Sequence, residues 1–560
     1  MNKRYLTLLL IVTSLIFELI YFCQNLGWKF QFTSDNAVYA ILSKRLLAGD
    51  FWNGIHHYWN PGFSVATIPF YLLSGKWETA QILVSMASVM LLTGAAYLFF
   101  KRYSLFLSVS ISFLIAFSSS LYVLIFGGGI TEPLYVMLLW ISLFLGWRSL
   151  NSGRLIDYIY ASIFFSLAYL TRTEGLSMFA FFVLLAVLKN LRMTGSLVKK
   201  LIHTFKGVVA ILAVFLIINA PYIVIQSLHI GRFTLSGKYA YIGSGPYYAE
   251  EKYRPTTWAQ DVWAVDYNYF KSPYYDPKRA SDWMIKYLKN GTILQNAQKS
   301  LKEIFLLYQS INTNAFFTGW GLYLALIGLI FGLMIPNFRK ITLYFGSMFI
   351  IGTVWIAVFM SPHYRYLVFA IPFFIYLEGL AIYLISKVGS RLLVYLGRSI
   401  RIKNINIYGF SQFFFFFFFL INIFNQNMTI GQFLKPTIQG GPNDYKKIAE
   451  YIKVQNIKLI GGRMEGIGFY SGAKIVYMPS SPPDRIVKYM KAWGVEYLLV
   501  RPFEVGYAFV APIADSKFKH PDLTLVKIFD EGSLIWKVRL TNEERINNQR
   551  TLVENQWINK

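Results

Sequence analysis

The chain has 560 residues, of which 55% are hydrophobic and only 15% charged. That is too long and too apolar for one water-soluble core, and it is the composition of a polytopic α-helical membrane protein. Lysine and arginine outnumber aspartate and glutamate 54 to 28, a net charge of +26. No basic stripe lies on a soluble segment, which argues against nucleic acid as a partner, and the single cysteine, Cys23, rules out intramolecular disulfides.

The first apolar run, Tyr5–Phe22, follows Lys3-Arg4 and lacks a small-residue cleavage site, so it is read as a retained anchor whose far end faces outward. Ten further runs have roughly spanning length: Thr79–Phe100, Leu105–Phe126, Thr131–Trp147, Tyr158–Leu170, Leu176–Leu188, Val208–Leu228, Phe317–Ile335, Ile341–Met360, Tyr364–Ile385 and Tyr408–Phe424. About eleven transmembrane helices are therefore predicted, with the short fifth and sixth runs readable as one hairpin. Loops on the N-terminal side carry Lys101, Arg102, Arg148, Arg154, Lys189, Arg192, Arg339, Lys340 and Arg391. By the positive-inside rule that side, with the N-terminus, is cytoplasmic and the opposite loops are extracytoplasmic.

The outer loops hold the chemistry-bearing residues. The first, 33–78, begins with Asp35-Asn36, continues with a helical repeat of Val38, Ile41, Leu42 and Leu46, and then clusters His56, His57, Tyr58, Trp59, Asn60 and Pro61. Read alone, Ser34-Asp35 caps a membrane-surface amphipathic helix. The outer turns read GGGITEPLY with Glu132, YLTRTEGL with Arg172 and Glu174, and MSPHYRYLVFAIP with His363, Tyr364 and Arg365. Charges at membrane depth are costly and mark function or mutual pairing. The structural alternative is Glu132 paired with Arg172 or Arg365. The long loop 229–316 is rich in Tyr and Trp, which suits sugar stacking and equally an interfacial aromatic belt.

After Phe424 the sequence turns mixed and predicts a small extracytoplasmic α/β domain, residues 425–560, behind a transmembrane domain of residues 1–424. A helix from Asn443-Asp444 to Val454, a strand Ile457–Ile460, a helix Pro483–Trp493, a strand Val495–Val500 and a hairpin of Leu523–Phe529 with Ser533–Val538 are expected. The segment GGRMEGIGFY lacks phosphate-loop or dinucleotide spacing and is read as a glycine-rich loop. No internal repeat or metal-ligand spacing is present.

Taken in order, SDNAVYAILSKRLLAGDF, TEPLY, TRTEGL and HYRYLVFAIP resemble the C-type (GT-C) glycosyltransferases, and among them the protein O-mannosyltransferases and lipid A aminoarabinose transferases (family 39-like). The resemblance covers most of residues 1–385. It implies the GT-C fold and transfer of a sugar from a polyprenyl-phosphate donor to an acceptor hydroxyl of protein, lipid or glycan, outside the membrane. It implies Asp35 as general base and Arg365 on the carrier phosphate, with Arg172 and His363 as further cations. Glu132, Glu174, Tyr364, Asn36 and His56 are the substrate-orienting candidates. Two departures from the family pattern stand out: relatives often have Asp-Glu where Asp35-Asn36 stands, and Lys-Pro-Pro where Asn60-Pro61-Gly62 stands. His57 or His56 is then the expected substitute for the missing lysine. No cofactor or metal is implied. The rival readings are a transporter or flippase for a lipid-linked sugar, which predicts paired halves with broken helices, and a non-catalytic membrane subunit whose loop charges merely pair.

Overall fold

Long apolar runs become helices because a helix satisfies its own backbone, which a lipid phase demands. The computed structural model describes residues 3–26, 32, 35–126, 131–192, 196–230, 233–237, 297–298, 300–304, 321–359, 364–399, 444–463, 465–479, 481–501 and 511–546. Its helices begin with α1 (Lys3–Leu26), α2 (Asp35–Leu47), α3 (Phe51–Gly54), α4 (Pro61–Ser74), α5 (Trp77–Phe100), α6 (Leu105–Ala116) and α7 (Ser119–Phe126). They continue with α8 (Glu132–Ser152), α9 (Leu155–Thr171), α10 (Gly175–Leu191), α11 (Leu197–Ile230), α12 (Gly321–Met334), α13 (Pro336–Phe359) and α14 (Ile371–Ser399), the last preceded by a 3-10 helix over Tyr364–Ala370.

Among the described residues five helices are long and apolar enough to cross a membrane: Trp77–Phe100, Glu132–Ser152, Thr204–His229, Pro336–Val358 and Arg365–Gly389. Five shorter apolar helices accompany them among the described residues. The expected run Leu105–Phe126 breaks at Phe117-Ser118 into α6 and α7, whereas α9 and α10 are two distinct helices of 17 residues each. The expected run 408–424 and the boundary at 424 lie outside the described residues.

The chain folds as two compact units: Met1–Trp28, Thr79–Ala220 and Leu294–Gln439 form one, and Lys29–Glu78, Pro221–Ile293 and Gly440–Lys560 the other.

In the first unit α8 packs along α9, and α14 along α12 and α6. Rings fill the spaces between helices: Phe99 stacks on Phe144 at 4.4 Å, and Phe100 on Tyr376 at 5.4 Å. Their polar neighbours are satisfied across helices, since Trp140 Nε1 donates to the Phe369 carbonyl at 3.0 Å and the Thr342 and Tyr376 hydroxyls bond at 2.8 Å. At the α8–α9 turn, buried Asp157 pairs with Arg148 (3.1 Å) and Arg154 (3.0 Å), two of the charges that orient the chain by sequence. Small residues let apolar helices approach. A Cβ at Gly328 of α12 would run into the Leu377 carbonyl of α14. Gly328→Ala is accordingly expected to destabilise this pair by about 1–3 kcal/mol, the usual range for overpacking. A lowered thermal midpoint in detergent checks it, and an unchanged midpoint refutes it.

The second unit joins the first loop to the C-terminal domain. Pro61 opens α4 in its first turn, where no amide donor is needed, and Gly75 closes it at φ 67°. Helices α2 and α4 cross through small and aromatic residues: Ser64 Oγ donates to the Tyr39 carbonyl at 3.2 Å and the Tyr39 ring meets Phe63 edge-on at 5.5 Å. The C-terminal domain runs α15 (Asp444–Val454), β1 (Leu459–Gly462), α16 (Glu465–Ser471), β2 (Lys474–Tyr477), α17 (Pro483–Ala492), β3 (Tyr497–Val500), β4 (Leu523–Ile528) and β5 (Leu534–Val538). Its sheet has the order β2-β1-β3-β5-β4, with β1 parallel to β2 and β3 and the β4–β5 hairpin antiparallel.

Two expectations are corrected here. The strand expected from Ile457 begins at Leu459, because Asn456 turns the chain at φ 53° and the Ile457 amide closes back on the Ile452 carbonyl at 3.0 Å. The glycine-rich segment is not a loop: its first two glycines end β1 and most of the remainder forms α16. Glycines weaken a helix in isolation, yet here Gly468 lets α16 lie against β2, since a Cβ there would meet the Ile475 side chain at 2.8 Å and the Ala473 carbonyl at 3.0 Å.

Candidate active site

Three of the four motifs converge in the first unit. Helix α8 starts at Glu132 with a proline in its first turn, where a carboxylate faces the helix N-terminus favourably. Helix α9 ends at Thr171, and Arg172 follows in extended backbone. The chain then turns through Thr173-Glu174 into α10. Gly175 is required in that turn, since a Cβ there would meet backbone atoms of Ala168 and Tyr169 at 2.7–2.9 Å. Arg365 sits in the 3-10 helix ahead of α14.

The side chains form one network around a fully buried carboxylate. Arg172 Nη1 donates to Glu132 Oε1 at 2.6 Å and to Thr131 Oγ1 at 3.1 Å, while its Nη2 donates to Glu174 Oε1 at 3.0 Å. Arg365 Nε donates to the same Glu132 oxygen at 2.8 Å, across 233 residues of sequence. The guanidinium of Arg172 also lies 5.3 Å from the ring centre of Tyr366 and 5.9 Å from that of Tyr135. Burial by itself lowers the Arg172 pKa, but Glu174 and Glu132 outweigh it and hold the group protonated well above its ordinary range. Arg365 is the more open cation, its side chain 26% exposed against 9% for Arg172. A carboxylate that locks the Nε edge of an arginine fixes its guanidinium plane, the form in which arginine presents itself to phosphate oxygens.

The other sequence candidates fall in the second unit. Asp35 is the first residue of α2 and partly buried, and Asn36 beside it is buried. His56 and His57 stack at 4.3 Å in the connection between α3 and α4, and both are buried. His56 Nδ1 accepts the backbone amides of Tyr58 (2.9 Å) and Trp59 (3.3 Å). A nitrogen accepting bonds carries no proton, so this ring is neutral with its hydrogen on Nε2. His363 and the side chain of Tyr364 lie outside the described residues. Among those described, no group of three or more His, Cys, Asp or Glu side chains could hold a metal ion.

Sequence reasoning missed a junction in the second unit. Tyr470 of α16 accepts the Phe32 amide at 2.9 Å and donates to Glu78 Oε1 at 2.9 Å. Burial foremost, and then the Glu78 carboxylate, push the Tyr470 phenol far above its usual range, so it remains a donor. The only sequence signal was the aromatic pair Phe469-Tyr470 closing the glycine-rich segment.

No protein-family model matches this chain, and no curated protein matches it by sequence. Among solved structures, the crystal structure of ArnT from Cupriavidus metallidurans bound to undecaprenyl phosphate aligns over 96% of this chain and 98% of that one, with a TM-score of 0.54 and 14% identity. The fold is ArnT-like. The apo structure of the same ArnT aligns over the same shares, with a TM-score of 0.51 and 12% identity. ArnT is an aminoarabinose transferase of the GT-C fold. Because the ArnT likeness spans nearly the whole chain, it takes in both the apolar helices and the sheet-bearing C-terminal domain.

Proposed function

We propose that this protein is an integral membrane glycosyltransferase that moves a sugar from a polyprenyl-phosphate donor to an acceptor hydroxyl on the extracytoplasmic face. The observation that carries the reading is the Glu132-anchored pair of arginines, assembled from three motifs of the resemblance in a fold like that of an ArnT crystallised with undecaprenyl phosphate. In the step proposed, the acceptor oxygen bonds to the sugar's anomeric carbon as the carbon–oxygen bond to phosphate breaks. The hydroxyl proton passes to Asp35 as general base, and the polyprenyl phosphate leaves with the extra negative charge. Arg365, with Arg172 behind it, stabilises that charge. Glu132 and Glu174 orient the two cations, Asn36 and Tyr364 orient substrate, and His363 and His57 are further phosphate-side groups. His56, held neutral by its backbone bonds, serves as a hydrogen-bond donor at most.

Incubating the purified protein with undecaprenyl phosphate charged with mannose, glucose or aminoarabinose tests this. Release of undecaprenyl phosphate from at least one donor is expected, and its absence across a broad panel would refute the assignment. One observation favours a purely structural cluster: two arginines and two glutamates sum to zero charge. Arg365→Ala separates the readings. The enzyme reading expects donor KM to rise about tenfold or more, from a lost charge-assisted bond of roughly 1.5–3 kcal/mol. The structural reading expects a lower thermal midpoint with kinetics unchanged per folded molecule.

A further inference from the structure

We propose that Phe469 and Tyr470 of the C-terminal domain are positioning residues for Asp35, clamping the chain where it enters α2. The inference rests on the reading of Asp35 as general base. Phe32 is completely buried, its ring edge-on to Phe469 at 5.0 Å and stacked against Tyr470 at 6.2 Å. Its amide is held by the Tyr470 hydroxyl, which simultaneously donates to Glu78. A hydroxyl that accepts from one partner and donates to another has no rotational freedom left, so Phe32, Tyr470 and Glu78 are fixed together. Lys446 of α15 backs the junction, 4.0 Å from Glu78 and 5.1 Å from the Tyr470 ring centre.

The clamp reaches Asp35 by two routes. Asp35 follows Phe32 by three residues, at most about 11 Å of chain, so displacement of Phe32 is passed on with little slack. Helix α2 itself packs on α16: Ala37 and Ala40 sit in one buried cluster with Phe32 and Trp77, edged by Phe469 and Tyr470. Trp77 is held in turn by Tyr71, stacked at 3.7 Å. Alanine at both α2 positions leaves room for the rings and brings the helix close. The physical consequence is that the C-terminal domain sets where α2 begins, and that is where the carboxylate is. Reacting groups displaced by about 1 Å lose up to 10²-fold in rate.

The test is Tyr470→Phe in the full-length protein, which keeps the ring and removes both hydrogen bonds. Two readouts are taken: amide hydrogen exchange over residues 36–47, which needs no substrate, and steady-state release of undecaprenyl phosphate from whichever charged undecaprenyl phosphate is consumed. Faster exchange in α2 is expected, with kcat about tenfold lower, KM for the donor within about twofold, and no further loss when the change is added to Asp35→Asn. Unchanged exchange or unchanged kcat overturns the proposal. So does a loss that multiplies in full on the Asp35→Asn background, since the hydroxyl would then act independently of Asp35. Failure of the underlying reading shows separately, as transfer that survives Asp35→Asn alone.

Discussion

Asp35→Asn is expected to reduce sugar transfer by about 10²–10⁴-fold, the range for loss of a general base, with the protein still folded and inserted. Asp35 is the first residue of α2, and asparagine starts helices about as well as aspartate. The substitution therefore preserves the helix and the cluster of Ala37, Ala40 and Trp77 around it, and takes away only a carboxylate able to accept a proton. Donor consumption is the measurement, with the thermal midpoint and detergent elution profile as controls. Wild-type turnover in the Asn variant would leave Asp35 as a helix-starting residue and pass the role of general base to another group.

The second large effect falls on stability. Glu132 has no exposed surface and receives Arg172 at 2.6 Å and Arg365 at 2.8 Å. Glu132→Gln keeps the shape but withdraws the charge, leaving two guanidinium groups with Glu174 as the remaining carboxylate of the network. Breaking a buried pair from one side costs about 3–5 kcal/mol, because the orphaned charge stays desolvated. A marked fall in thermal midpoint and in the yield of monodisperse protein is expected. Adding Arg365→Gln should recover part of it by removing the surplus charge, a non-additivity that independent sites do not show. A Glu132→Gln variant as stable as the parent would mean that water or other groups already compensate the two cations.

Much of this was legible in the chain, for identifiable reasons. Apolar runs reveal helices directly, so α5, α8 and α13 fall close to their predicted places, whereas the run expected at Tyr364–Ile385 divides into a 3-10 helix and the longer α14, Ile371–Ser399. The motifs TEPLY, TRTEGL and HYRY were recognisable because charges are rare at such positions. How their residues connect was not legible: the sequence offered Glu132 to Arg172 or to Arg365, and the fold gives it to both. The glycine-rich segment was misread for a related reason. Gly466 and Gly468 argue against a helix locally, and the packing that requires glycine at 468, the close approach to Ile475 and Ala473, is not visible in the sequence.

By itself the sequence determined an apolar helical bundle, its polar turns and a small α/β domain behind it, because those features follow from local periodicity and transfer energies that no distant residue can overturn. Tertiary structure alone decided that one carboxylate would hold two arginines 193 positions apart in the chain, and that Tyr470 would grip the backbone three residues ahead of Asp35. Hydrogen bonds and ion pairs depend on where side chains arrive in space, which helix packing sets and residue order does not disclose.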